Sequence, residues 1–338
     1  MDGFHASLGV FFRAEFYWVS VSRLRLGSGF WVTINHYETK LSVAQRFSGC
    51  KGTQKPEKPL GQTNYMMQSY KISQDDLDPQ TRAFYCRSFD VLSQAQIPFL
   101  VGGGYAFKRY TKIARQTKDL DLFVHPRDCS RILEVFSQQG YHTEFPASHW
   151  LAKVFCGEDF VDIIFNCANG NGEVDDIWFE YAIEEEVLGQ SVRLCPPEEM
   201  IWSKAFIMAR DRFDGADIAH LIRACSENLD WSRLLQRFGS QWRVLFSHLI
   251  LFGFIYPGER SRIPNWVMNE LSQRLQQEVS TPTKEEKLCQ GTLLSPLQYE
   301  IDVEQWGYED ARLFPKGSMT TAELCEWTAH LKTDKAKD

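Results

Sequence analysis

Between Phe99 and Val124 the chain reads FLVGGGYAFKRYTKIARQTKDLDLFV, and this stretch constrains the fold more than any other. The apolar run Ile97 to Val101 predicts a buried strand that stops at Gly102-Gly103-Gly104. YAFKRYTKIA predicts a helix, and Leu120 to Val124 a second strand. Strand side chains alternate faces, so Asp119 and Asp121 point one way and Leu120 and Leu122 the other. Parallel carboxylates repel, and holding them together is costly unless a cation sits between them. Glycines after a strand let backbone approach a phosphate, and a following helix N-terminus adds amide donors and the positive end of a dipole.

The surrounding pattern builds a small mixed α/β (α+β) domain. Asp78-Pro79 predicts a helix start, with RAFYCRSFDVLSQAQ continuing it. Asp128 to Gln139 predicts an amphipathic helix ended by Gly140. Leu151–Phe155 and Phe160–Phe165 predict two strands joined by a turn at Gly157-Glu158. Asp162 lies within the second of these, between Val161 and Ile163, where an acid is unusual unless its face lines a site. Three carboxylates on neighbouring strands can hold two metal ions ~3.5–4 Å apart, the arrangement of in-line phosphoryl and nucleotidyl displacement.

From Pro196 the pattern turns helical. PPEEMIWSKAFIMARDR opens with a good first turn, and ADIAHLIRAC, WSRLLQRF, WRVLFSHLILFGF and NWVMNELSQRLQQ follow. The expected organisation is an extension over 1–65, an α/β domain over 66–195, a helical domain over 196–280 and a mixed tail over 281–338. Residues 1–65 hold eight Lys/Arg against four acids, a net of +4 in a chain whose total is -7. Ser- and Arg-rich and acid-poor, they read either as a transit-peptide-like leader or as sequence upstream of a true start at Met66 or Met67. Poor order or loose attachment is expected of them.

The acidic total argues against general nucleic-acid coating, though Lys108 to Lys118 and Lys204 to Arg212 supply a local basic rim. Nine cysteines contain no Cys-x-x-Cys pair, which excludes zinc ribbons and fits reduced thiols in the cytoplasm. No apolar run approaches ~20 residues, so no membrane span is expected. His125, His142 and His149 lack metal spacing. The aromatics of 299–308 would either stack a base or, more simply, pack the tail onto the body.

The Gly-Gly turn followed by Arg115-Gln116-Thr117-Lys118-Asp119-Leu120-Asp121-Leu122-Phe123 resembles the motif of the DNA polymerase beta-type nucleotidyltransferase superfamily. The likeness is greatest to its minimal bacterial branch with an Arg-x-Thr-x-Asp-x-Asp-Leu core. That branch includes toxins of the abortive-infection type and many uncharacterised proteins. Asp162 matches the third family carboxylate, and Lys204, Arg210, Asp214 and Asp217 stand in the pattern of downstream helical residues. The likeness covers about residues 97–225. Two departures are visible: Gly104 stands where a hydroxyl residue is common, and the interval from Gly104 to Asp119 is slightly long.

The resemblance implies a small mixed-sheet nucleotidyltransferase domain followed by a helical domain. It implies transfer of a nucleoside monophosphate from an NTP such as ATP to an acceptor hydroxyl, with Mg²⁺ or Mn²⁺ on Asp119, Asp121 and Asp162. Asp162 would also orient or deprotonate the acceptor. Gly102, Gly103, Gly104, Arg115, Thr117 and Lys204 would bind nucleotide, with Arg210, Asp214 and Asp217 as further candidates. The acceptor would be a small molecule, a protein or an RNA end. The alternatives are a toxin-like enzyme modifying tRNA or protein, and a non-catalytic nucleotide-binding module. A P-loop kinase is excluded by the lack of a Gly-x-x-x-x-Gly-Lys-Ser/Thr run.

Overall fold

The computed structural model describes residues 77–114, 117, 119–282 and 286–335. It also describes two short antiparallel strand pairs, Arg13–Ala14 with Tyr17–Trp18 and Ile34–His36 with Thr39–Leu41. The expectation of poor order over 1–65 otherwise falls outside the described residues. The chain divides into two compact units, Met1–Gln68 and Ser69–Asp338; the second carries everything that follows.

Helix α1 (Pro79–Gln94) starts where Asp78 caps it, the Asp78 carboxylate accepting the Gln80 N–H. After it come strand β1 (Leu100–Val101), α2 (Gly103–Thr111), β2 (Leu120–Phe123) and α3 (Cys129–Gln138). Strands β3 (His142–Ala147), β4 (Leu151–Cys156) and β5 (Asp159–Ile164) follow. Then come α4 (Asp176–Glu180) and the hairpin of β6 (Ile183–Val187) and β7 (Gln190–Leu194). Seven strands form one mixed sheet in the order β6-β7-β1-β2-β5-β4-β3. At its centre β2 runs antiparallel to β1 and parallel to β5.

The two sheet faces differ, as period-2 alternation requires. Leu120, Leu122, Val161, Ile163, Ala152 and Val154 pack on one side against Phe84, Phe89 and Leu92 of α1 and Ile132 and Phe136 of α3. Leu100 and Phe123 belong to the other side, where Trp178 and the helical region cover them. Each fully buried side chain of Phe size contributes about 1.5–3 kcal/mol, and Trp178, Phe89 and Phe136 are among the fully buried ones.

The helical region holds α5 (Pro197–Ala205), α6 (Gly215–Cys225), α7 (Trp231–Phe238), α8 (Trp242–Ile255) and α9 (Asn265–Ser280). The helix expected over 196–212 runs only from Pro197 to Ala205. Beyond it Met208 bridges to Phe213, and the Met208 N–H reaches the Leu294 carbonyl. Tertiary hydrogen bonds here outweigh good local helix propensity. The C-terminal region supplies β8 (Leu288–Cys289), α10 (Glu300–Glu304), β9 (Glu309–Asp310) and α11 (Thr321–Lys335). Trp327 of α11 packs edge-on against His149 and Trp150 near the β3–β4 turn. Tyr299, Trp306 and Tyr308 remain substantially exposed.

Candidate active site

Two strands set the acids. Asp121 of β2 and Asp162 of β5 are direct partners across a parallel pair, so their side chains leave the same face side by side. Asp119, two residues before Asp121, shares that face. Ligand oxygens from Asp119, Asp121 and Asp162 all lie within 4.8 Å of one another. Three part-buried carboxylates in this arrangement fit a hard divalent cation.

The electrostatics express the crowding. Burial pushes the Asp121 carboxyl up to about 7, with Asp119 and Asp162 adding like-charge repulsion that Lys204 and Arg212 only partly offset. Asp162 is also raised, chiefly by burial, although Lys153 opposes the shift. Lys153 Nζ donates to Asp162 Oδ1 at 2.6 Å and lies 3.9 Å from the centroid of the Phe160 ring.

The glycine turn contacts the acids. Gly103 has φ +49°, and a Cβ there would lie 1.6 Å from Asp121 Oδ2. A Cβ on Gly104 would lie 2.7 Å from the Thr117 Cβ. The glycines thus make room for Asp121 and Thr117 as well as for a ligand. The Gly102 N–H donates to the Asp121 carbonyl, which leaves Gly103 and Gly104 as the amides nearest the opening of α2. Thr117 Oγ1 donates to Asp119, at 3.0 Å from Oδ1, and so orients that carboxylate. Arg115 lies outside the described residues.

The downstream set forms a second shell of charge. Lys204 Nζ lies 2.9 Å from Asp214 and 3.0 Å from Asp217. Burial would raise the Asp214 carboxyl, but Arg212 and Lys204 hold it below the usual carboxylate range. Lys204 thus meets two acids in this structure, while its charge still acts on Asp121. Arg210 is exposed, and it is Arg212 that pairs with Asp214, Nε to Oδ1 at 3.0 Å. The early end of α5 allows this, because the chain turns back over 206–214 instead of continuing as helix.

Lys153 was missed by the sequence reading, yet a signal for it existed. The predicted turn at Gly157-Glu158 implies that Cys156 faces Asp159, and stepping back along the antiparallel pair places Lys153 opposite Asp162, as observed. His125 and His149 are buried and bond the carbonyls of Val174 and Ala168, consistent with structural roles.

Residues 89–249 match the model of a family described as uncharacterised nucleotidyltransferase. That match falls on the same part of the chain as the likeness read from the motif. No curated protein matches it. Among solved structures, the antibiotic-resistance factor ANT(2'')-Ia aligns at 17% identity over 51% of this chain and 98% of its own, with a TM-score of 0.36. The lincosamide antibiotic adenylyltransferase LnuA aligns at 18% identity over 42% of this chain and 95% of its own, with a TM-score of 0.31. The Megavirus polyadenylate synthase gives 13% identity, covers of 52% and 40%, and a TM-score of 0.32. Nothing about substrate follows from likeness at this level.

Proposed function

We propose that the protein transfers a nucleoside monophosphate from an NTP to an acceptor hydroxyl, with Asp119, Asp121 and Asp162 as the catalytic carboxylates. The observation that carries this reading is the convergence of those three side chains within 4.8 Å at the mouth of a glycine turn. Asp119 and Asp121 would hold Mg²⁺ or Mn²⁺ together with Asp162. When bound there, a divalent ion supplies charge neutralisation and polarises phosphate oxygens.

The chain's own groups do the rest. Gly103 and Gly104 would present the start of α2 to the phosphates, its amides and dipole favouring negative charge. The Asp162 oxygen not engaged by Lys153 would accept the proton of the acceptor hydroxyl. The acceptor's own oxygen, so deprotonated, would attack the α-phosphorus as the bond to pyrophosphate breaks, leaving the proton on Asp162 and the negative charge on pyrophosphate. Lys204 and Arg212 would offset charge developing on the leaving group, at longer range than a direct contact.

The acceptor class stays open to a small molecule, a protein side chain or an RNA end. The toxin-like alternative differs only in its acceptor, and the site as described does not favour it. No helix among the described residues is long and apolar enough to cross a membrane. Free cysteines at Cys86, Cys129, Cys156, Cys167, Cys195, Cys225, Cys289 and Cys325 suit the reducing cytoplasm, where we place the protein.

The test is incubation of purified protein with Mg²⁺, each labelled NTP and cell extract as acceptor source. Label transfer with pyrophosphate release is expected in wild type and its loss in Asp119→Asn. A wild type without transfer, and indistinguishable from the variant, contradicts the assignment.

A further inference from the structure

Lys153 supplies the charge of β4 on the aspartate face of the sheet. Three features fix it. Its Cα is registered opposite Asp162, its ammonium lies 2.6 Å from Asp162 Oδ1, and the Phe160 ring sits beneath it at 3.9 Å. Only 22% of the Lys153 side chain and 14% of that of Asp162 are exposed. Both charges have given up most of their water, so each depends on the other, and removing one partner of such a pair is costly. Lysine tails in water are flexible; this one is held at its stem by the strand and at its tip by a carboxylate and a ring.

We propose that Lys153 takes the place of a second divalent ion. Its ammonium neutralises Asp162 permanently, and the loaded site holds one metal ion rather than two. The charges agree: before nucleotide arrives, three carboxylates are balanced by one ammonium and one divalent cation. The usual alternative is a pair of ions ~3.5–4 Å apart sharing the carboxylates. Lys153 stands where the second ion would have to compete for Asp162. An ammonium brings one charge and no Lewis acidity, so Asp162 would meet the acceptor hydroxyl through its other oxygen without the help of a second ion. This inference rests on the nucleotidyl-transfer reading of the aspartates.

The experiment counts metal. The full chain is dialysed to equilibrium against Mn²⁺ with a mixture of the four α,β-methylene nucleoside triphosphates, and protein-bound manganese is measured by elemental analysis. One Mn²⁺ per chain is expected for wild type, two for Lys153→Met, and one again for Lys153→Arg, which restores the charge. Two ions in wild type overturn the inference while leaving the transfer reading intact, as does a Lys153→Met variant that gains none. Should Lys153→Met fail to fold by circular dichroism, the wild-type count decides alone. A wild type that retains no Mn²⁺ sinks the transfer reading and this inference with it.

Discussion

Glu199 and Asp121 are both carboxylates drawn out of water, and the chain treats them differently. Glu199 is fully buried on α5 and held by Arg233 at 2.6 Å and Arg237 at 3.1 Å. Glu198 pairs with Arg233 and also accepts the Asp230 N–H, while Arg237 continues to Asp175. That cluster ties α5, α7 and the segment before α4 together, and its charges are answered from within. Asp121 faces Asp119 and Asp162, with Lys153 held by Asp162 and Lys204 and Arg212 paired to other acids. A group with like-charged neighbours and remote compensation is a place for a ligand; a group with two guanidiniums is a joint.

Breaking the joint should produce the largest effect on stability. Glu199→Gln leaves Arg233 and Arg237 with half their partners gone and should cost about 3–5 kcal/mol in chemical denaturation. A loss within error would mean that the cluster is wetter than its burial implies. At the site the balance reverses. Asp119→Asn should lower transfer by roughly 10²–10³-fold, while its melting temperature stays near or above wild type.

Asp121 sharpens the contrast through pH. Its carboxyl is raised in the folded chain, so between the ordinary value near 3.8 and about 7 the native state holds more protons than the unfolded state. Stability without metal should therefore fall as pH rises through that window and level off above it. Asp121→Asn lacks this penalty. Its advantage over wild type in metal-free melts should be absent near pH 4 and largest above pH 7. Mg²⁺ should narrow the gap by stabilising wild type, most strongly at the higher pH. An advantage independent of pH would show that the carboxyl is not raised. The smallest effect is expected for Gly103→Ala, where a positive φ and a Cβ pressed onto Asp121 should cost about 1–3 kcal/mol and weaken Mn²⁺ binding; unchanged binding would uncouple the turn from the acids.

The sheet acids were legible because strand geometry is local. Once Leu120 and Leu122 are assigned to the core, Asp119 and Asp121 have only one face left. Asp162 was legible because an acid between Val161 and Ile163 needs a reason. What escaped the reading was set by contacts distant in sequence. Past the end of α5 at Ala205 the chain bonds Leu294, almost ninety residues on, and Arg210 is left exposed while Arg212 pairs with Asp214. Glu198 and Glu199 read as a helix-opening pair, yet their burial depends on Arg233 and Arg237 from another helix. Strand β1 is shorter than Ile97–Val101 suggests, since Pro98 has no N–H to give a ladder.

The two-residue turn at Gly157-Glu158 acts as a parity lock. With the turn kept at two residues, an inserted residue would shift the pairing by one and present Lys153 and Asp162 to opposite faces of the hairpin. Adding two residues would keep the faces but slide the lysine along the strand. Relatives that retain this ion pair should therefore vary in length almost anywhere on the surface except at this turn, and a graft of the site onto another sheet would have to carry the hairpin whole.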